Sequence, residues 1–214
     1  IDEWDKSNTF LPRYNISPGQ YNPVLIWNRK NRIIKEMKWG LEPSWSKDKL
    51  MGKKLFNARS ETLLEKPSFQ DLVSKKRCVV IADGYFEWQK SRKFKKPHYI
   101  FNPNGKLLPM AGLWSSKTSS SGKSISSYTI ITTTPTQKVS QIHNRMPVIL
   151  HTENLDTWLN FEKNSISLAL SVLKSSKIDL DYYPVSEKVN NAGFDKPQCI
   201  RRANYNETLN LFSV

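Results

Sequence analysis

Apolar residues in this chain fall in short runs and in alternation, and turn-forming residues separate the runs. Cys78-Val79-Val80-Ile81-Ala82 is a continuous apolar run with β-branched residues, the pattern of a buried strand. Asp83-Gly84 breaks it with turn-prone residues, and Tyr85-Phe86-Glu87-Trp88 resumes as an aromatic strand. Pro23 to Trp27 and Ile33 to Trp39 read as a hairpin across the polar turn Asn28 to Asn31. Pro97 to Phe101, Lys106 to Trp114, Tyr128 to Thr134 and Leu180 to Val185 also read as strands. Helical signals are short. Ser60 can cap a helix over Glu61 to Glu65, and Pro67 can open another reaching to about Val73. Thr152 can cap one over Glu153 to Leu159, and Ile166 to Leu173 is amphipathic.

The remaining stretches are polar. Tyr14 to Gln20 is a loop with turn chemistry, and Gly40 to Lys54 is a loop rich in Trp, Pro and Lys. Lys90 to Lys96 is a basic tip, and Lys117 to Ser127 reads as a Ser-rich, mobile loop. Residues 1–13 and the tail from Ser186, with Arg201 and Arg202, are irregular. With no repeat and no long linker, the expectation is a single strand-rich α+β domain over residues 1–214. It would be built of mostly antiparallel sheet or a partly open barrel, with a few short helices.

At 214 residues the chain can bury a core without metal or disulfide staples. Its two cysteines, Cys78 and Cys199, show no metal-ligand spacing and read as reduced thiols of an intracellular protein. No metal and no cofactor are expected. No stretch approaches the roughly 18 apolar residues of a membrane span, and no signal peptide opens the chain. Lys and Arg number 33 against 19 Asp and Glu, a net charge of +14. Such a surplus draws polyanions, nucleic acid foremost, through counterion release. The plainer alternative is a generally basic surface with no specific ligand. Seven Trp and eight Tyr tilt the balance toward nucleic acid, because aromatics among basic residues stack on bases, although most of these rings belong in the core.

Glu87 lies between Phe86 and Trp88 directly after the buried run. Aromatic neighbours raise a carboxylate's pKa and suit it to proton transfer near neutral pH. On residue pattern alone, an exposed Glu on an alternating strand is the weightier reading. Two further segments also set polar groups in apolar or turn-rich frames: Phe56-Asn57-Ala58-Arg59 and Ile142-His143-Asn144-Arg145-Met146-Pro147. Glu and His are the usual acid–base pair, Asn can hold a carbonyl or sugar oxygen, and each Arg can grip a phosphate with two donors. Each signal is weak by itself, and nothing in the sequence alone brings them together.

The blocks jointly resemble the SRAP domain, the SOS response-associated peptidase family whose eukaryotic members are abasic-site processing proteins. They are Asn15-Ile16-Ser17-Pro18, Lys38-Trp39-Gly40-Leu41 with Pro43-Ser44-Trp45, Asn57-Ala58-Arg59-Ser60-Glu61-Thr62, Arg77-Cys78 through Ala82-Asp83-Gly84-Tyr85-Phe86-Glu87-Trp88, Met110-Ala111-Gly112-Leu113-Trp114, and Ile142 to Pro147. They occur in the family's order, from about Tyr14 to Asn191. The resemblance implies a monomeric sensor and shield of abasic sites in single-stranded DNA. In such proteins the α-amine of an N-terminal cysteine forms a Schiff base with the opened sugar, and its thiol closes a thiazolidine crosslink. The resemblance assigns proton transfer to Glu87 and His143, and orientation of amine and sugar to Asn57. Flanking phosphates fall to Arg59 and Arg145. DNA contacts fall to Pro18 and to a loop of Trp39, Gly40, Pro43 and Trp45, with a core position equally open for Trp39. A nuclear site follows from the resemblance alone, and "peptidase" refers to self-processing of the N-terminus. The family's opening Met-Cys-Gly-Arg is absent, since the chain starts at Ile1. A missing segment is expected, and the chain as written should bind DNA without forming a thiazolidine. The alternatives are a non-covalent single-stranded nucleic-acid-binding module, an RNA-binding protein and, last, a peptidase acting in trans.

Overall fold

A computed structural model of the chain describes residues 11–46, 54–90, 95–118, 122–174 and 178–203. Its strands are β1 (Tyr21–Trp27), β2 (Arg32–Trp39), β3 (Asn57–Arg59), β4 (Arg77–Ala82), β5 (Gly84–Lys90), β6 (Lys95–Phe101), β7 (Leu108–Thr118), β8 (Ser124–Thr133), β9 (Met146–Pro147) and β10 (Asp181–Pro184). Its α-helices are α1 (Leu72–Lys75), α2 (Leu155–Leu159) and α3 (Ile166–Ser171). The strand-rich α+β expectation holds.

The larger sheet runs β2-β1-β4-β7-β8, and β2 then returns to pair with β8 through Lys38↔Ser127 and Trp39↔Tyr128. The strands thus form a ring. Beyond β2, the same edge of β8 takes β3 in parallel, from Asn57↔Ile130 to Arg59↔Thr132. The other edge carries β7 and then β9, through Thr132↔Pro147 and Thr133↔Met146. β8 is therefore the strand on which both candidate loop segments are registered.

Period-two alternation sorts the apolar side chains into two cores. Val24, Ile26, Cys78, Val80, Met110, Tyr128 and Ile130 form one cluster. Their chain neighbours Leu25, Val79, Ala111, Leu113 and Ile131 form another with Val73 of α1, Trp158 and Leu159 of α2 and Ala169 of α3. Because both faces are covered, Cys78–Val80 reads as an unbroken apolar run. Trp158 is fully buried, and its Nε1 donates to the Cys78 carbonyl at 2.8 Å.

The smaller sheet is antiparallel, in the order β10-β6-β5. Asp83-Gly84 is therefore no hairpin turn; it carries the chain from one sheet to the other. A Cβ at Gly84 would sit 2.4 Å from Tyr99 Cζ and 2.6 Å from the Ile100 carbonyl oxygen, so the crossing has no room for a side chain.

Several local expectations are corrected. The helix expected over Glu61 to Glu65 is a 3-10 turn, Ser60–Thr62, and it follows a strand, β3, which the pattern did not reveal. Pairing with β8 outweighs local propensity in so short a segment. The helix from Pro67 shrinks to turns closed by bonds such as Leu72 N–H to the Phe69 carbonyl, followed by the four residues of α1. Thr152 caps nothing; it opens a 3-10 turn, Thr152–Asn154, that leads into α2. The Ser-rich loop from Lys117 to Ser127 is largely the outer ends of β7 and β8, paired from Ser115↔Ser127 to Thr118↔Ser124. Backbone ladder bonds hold residues whose side chains gave no strand signal. The early residues 1–10, the centre of the basic tip (91–94) and part of the Gly40 to Lys54 loop (47–53) lie outside the described residues.

Where β2 leaves the ring, Glu42 is buried and accepts from Lys117 at 2.5 Å and Lys38 at 2.9 Å, while its N–H donates to Ser127 Oγ at 2.8 Å. Burial pushes this carboxyl up, but the two lysines outweigh it and hold the group below its ordinary value. A depressed carboxylate contributes stability above its unfolded pKa and loses it as pH falls through the folded one. Glu42→Gln should therefore destabilise the chain by about 1–3 kcal/mol at pH 7. The deficit should vanish under acid, below the carboxylate range. Denaturant unfolding at both pH values checks this; an equal deficit at both would show that shape matters here and charge does not.

Candidate active site

A cleft of about 890 Å³ opens at one mouth of the ring. Its floor includes ring residues Asn22, Val80, Met110, Tyr128 and Ile130. Its walls bring together Pro18, Trp39, Asn57 and Glu87 from four separate segments. The Tyr128 hydroxyl donates to Asn22 Oδ1 at 2.6 Å across the floor.

Glu87 owes its place to the alternation of β5. Phe86 and Trp88 point into a third apolar cluster around Tyr99, Val185, Val189 and Cys199. Tyr85 packs against the ring's core on the other face, and Glu87 shares that face with it. Both faces of β5 are thus occupied, and the exposed-Glu reading fails: the Glu87 side chain is 23 % exposed. Burial raises its pKa; the positive charge of His143 and the Trp88 backbone N–H oppose this without cancelling it. His143 Nδ1 lies 3.5 Å from Glu87 Oε1. The same nitrogen is 3.1 Å from the Arg145 carbonyl oxygen and 3.3 Å from the Arg145 backbone nitrogen. Protonated, Nδ1 has an acceptor in that carbonyl; deprotonated, it has a donor in that N–H. The imidazole can therefore change protonation at this atom without losing backbone support.

Arg145 is committed within the protein. Its two terminal nitrogens meet the Glu61 carboxylate at 2.9 Å each, and Nη2 also donates to the Thr132 carbonyl at 2.5 Å. This bidentate pair lowers the Glu61 pKa and ties the turn after β3 to the His143 loop. Arg59 is exposed and stands on the same side of β3 as Asn57, while Ala58 between them enters the core.

The tryptophan loop divides. Trp39 faces the cleft, stacks on Tyr128 with planes 10° apart and donates from Nε1 to the Phe56 carbonyl at 2.8 Å. It is both a packing residue and a wall. Gly40, with φ at +115°, is buried and donates to the Tyr128 carbonyl; Pro43 is buried too. These two shape the loop from inside, while Trp45 is 59 % exposed and offers its ring to solvent. Pro18 is exposed on the cleft rim, in a turn closed by Gln20 N–H to the Ser17 carbonyl.

Sequence reading missed the residues that assemble these parts. Glu61 read as a helix former, although an acid within a block beside Arg59 was a usable signal. Gln141 accepts from Gln89 through its carbonyl at 3.0 Å and from the Tyr182 hydroxyl through its side chain at 2.6 Å, joining β5 and β10 to the His143 loop. Asp195 accepts from the Tyr14 and Asn15 backbone N–H groups and from Arg13, while Asn15 Nδ2 donates to the carbonyls of Val189, Asn191 and Phe194. These contacts fix the wall ahead of β1 against the late turns; nothing in either segment's sequence named the other.

The family model of the SOS response associated peptidase (SRAP) matches residues 1–192. The chain belongs to the SRAP family. It is 37 % identical over 202 residues to abasic site processing protein YoqW of Bacillus subtilis, covering 94 % of this chain and 90 % of that one. It is 34 % identical over 231 residues to abasic site processing protein HMCES of Gallus gallus, covering 92 % of this chain and 68 % of that one. A crystal structure of a protein from Bacteroides thetaiotaomicron superposes with a TM-score of 0.77 at 28 % identity, covering 87 % of this chain and 82 % of the other. SRAP relatives thus occur in bacteria, and the nuclear expectation, which came from eukaryotic members, gains no support. Among the described residues no helix is long and apolar enough to cross a membrane.

A carboxyl whose folded pKa is raised contributes stability below its unfolded pKa and loses it as pH rises through the folded value. At pH 7 the buried Glu87 charge therefore destabilises the fold. Glu87→Gln should raise Tm at pH 7 by about 2–4 °C, and the gain should close near pH 4. Thermal unfolding at both pH values reads this; no gain at pH 7 would mean that water solvates the carboxylate.

Proposed function

We propose that the cleft receives an abasic site of single-stranded DNA and that Glu87 and His143 move the protons of covalent capture there. The observation that carries this reading is the convergence on one cleft of Glu87, with its raised pKa and His143 beside it, and of Asn57 on an independent strand. The names of the relatives support the substrate class. The net charge of +14 supports the polyanion.

The chemistry needs an amine nucleophile. An α-amine, with a pKa near ~7.7–8.0, is partly neutral at cellular pH and adds to the C1′ aldehyde of the opened deoxyribose. The carbinolamine so formed loses water to give an imine. A neutral Glu87 carboxyl supplies the proton that the departing hydroxyl needs, and the resulting carboxylate takes one back from the attacking amine. When the amine is that of an N-terminal cysteine, its thiol adds across the imine and closes the thiazolidine, with one water lost overall. Neither cysteine of the chain supplies that group, because Cys78 and Cys199 are buried in apolar clusters and carry no free amine.

Asn57, on the cleft wall, would orient the amine and the sugar oxygens. Arg59 is exposed beside it and would meet a flanking phosphate. Arg145 would act on phosphate only by sharing or leaving Glu61. Trp39 and Trp45 would stack on bases, with Pro18 at the rim and with Gly40 and Pro43 holding the loop in shape.

The test is a denaturing gel of abasic single-stranded oligonucleotide incubated with two forms of the chain. A form beginning with cysteine should give a heat-stable crosslinked band, and the sequence beginning at Ile1 should give none. In the cysteine-led form, Glu87→Gln or His143→Ala should slow band formation by about 100-fold. Unchanged rates in both variants would overturn the catalytic assignment, and binding without any band from the cysteine-led form would leave a non-covalent binding module.

A further inference from the structure

A second cationic site lies at the far mouth of the ring. The cleft is floored by the residues that face inward at the start of β1 and the end of β4. At the opposite ends of those strands the inward-facing positions are Lys35 of β2, Lys76 just ahead of β4, and Trp114 of β7; they follow the alternation of Met37, Cys78 and Met110. Lys76 Nζ stands 3.9 Å from the centre of the Trp114 ring, and Lys35 Nζ stands 5.6 Å from it. Two ammonium groups thus share one indole.

Arg29 joins them from the tip of the β1–β2 hairpin. Burial, and after it the fields of Lys35 and Arg29, push the Lys76 ammonium below its ordinary value. No carboxylate among the described residues pairs with Arg29, Lys35 or Lys76; Asp156, at this end, lies 3.8 Å from Arg32. Elsewhere the fold neutralises such clusters, as Glu42 does for Lys38 and Lys117.

Arg29 itself carries a cost. Its φ is +80°, and it is the one non-glycine residue with a positive φ among the described residues. The Asn28 side chain closes the tip by accepting from Lys30 N–H at 3.0 Å and Asn31 N–H at 2.8 Å. A glycine would sit there without strain; an arginine adds only its charge.

We propose that Lys35 and Lys76, gathered around Trp114, and Arg29 at the tip of the hairpin that carries Lys35 bind the phosphodiester backbone of nucleic acid at a site separate from the cleft, extending the footprint to the other end of the ring. Three cations without a counterion among the described residues fit successive phosphates, and the exposed large apolar residues of β1 and β4, Tyr21 and Ile81, line the cleft at the other ends of their strands. A polyanion in water is therefore favoured over a lipid surface, which would also take up apolar side chains. The site rests on nucleic acid being the ligand of this chain; it does not depend on the covalent chemistry.

The experiment measures binding of a labelled single-stranded oligonucleotide without an abasic site, as a function of salt, to the chain and to two variants. Each phosphate that goes without its cation should lower the slope of log K against log salt by about 0.7. The Lys35→Gln/Lys76→Gln variant should lower the slope by about two such steps and bind several-fold more weakly. Arg29→Gly should lower it by about one step while its Tm stays level or rises, an outcome that a purely structural Arg29 would not produce. Unchanged slopes in both variants with intact binding would overturn this site and spare the cleft. Absence of binding by the parent chain would overturn this site, while the cleft is tested separately by the crosslinked band. Loss of binding to vesicles of acidic phospholipid, with oligonucleotide binding unchanged, would assign the cluster to membranes and overturn the proposal.

Discussion

Glu87 is kept from water by β5, and the imidazole set 3.5 Å from it belongs to a loop carried by the other sheet. Little else in the molecule makes sense without that meeting. A carboxylate half-stripped of water costs stability unless something answers it. Here the answer is incomplete: burial outweighs His143, and the proton is held more tightly than in water. A fully paired Glu87 would be a fixed charge and of little use in proton transfer. A fully solvated one would be an ordinary acid. The intermediate state requires the two sheets to be held at a set separation.

That separation is secured by contacts that do no chemistry. Arg145 grips Glu61 and the Thr132 carbonyl, so the His143 loop cannot move without β3 and β8. Gln141 takes bonds from Gln89 and Tyr182, so it cannot move without β5 and β10 either. Asp195 and Asn15 tie the segment ahead of β1 to the late turns. Charge-assisted and bidentate bonds suit this work, because they fix direction as well as distance. The arginine that looked most like a phosphate clamp is thus first a brace for the loop.

Charge is distributed unevenly over the rest of the fold. Lys38 and Lys117 are answered by Glu42 inside the structure, whereas Lys35 and Lys76 are left to face one another over an indole. A net charge of +14 is therefore no uniform coat. It is partly spent within the fold and partly gathered at the end of the ring away from the cleft.

The strands were legible from the chain because alternation and apolar runs reflect which faces are covered. The run Cys78–Ala82, the hairpin of β1 and β2, β5, β6 and the inner parts of β7 and β8 could be read that way, as could the family, from blocks in fixed order. Helices were overread, since Ser60, Pro67 and Thr152 promise caps whether or not a helix follows. β3 was invisible, because three residues carry no period and only the free edge of β8 makes them a strand. For the site, residue types and blocks named Asn57, Glu87 and His143 but not their meeting. Arg77–Trp88 shows the division most plainly. Its two halves read in sequence as strands broken by turn-prone residues, and they enter different sheets across a crossing where only Gly84 fits against Tyr99. Whether Glu87 faced water or a cleft therefore depended on what lay across from β5, and long-range packing decides that where local pattern cannot.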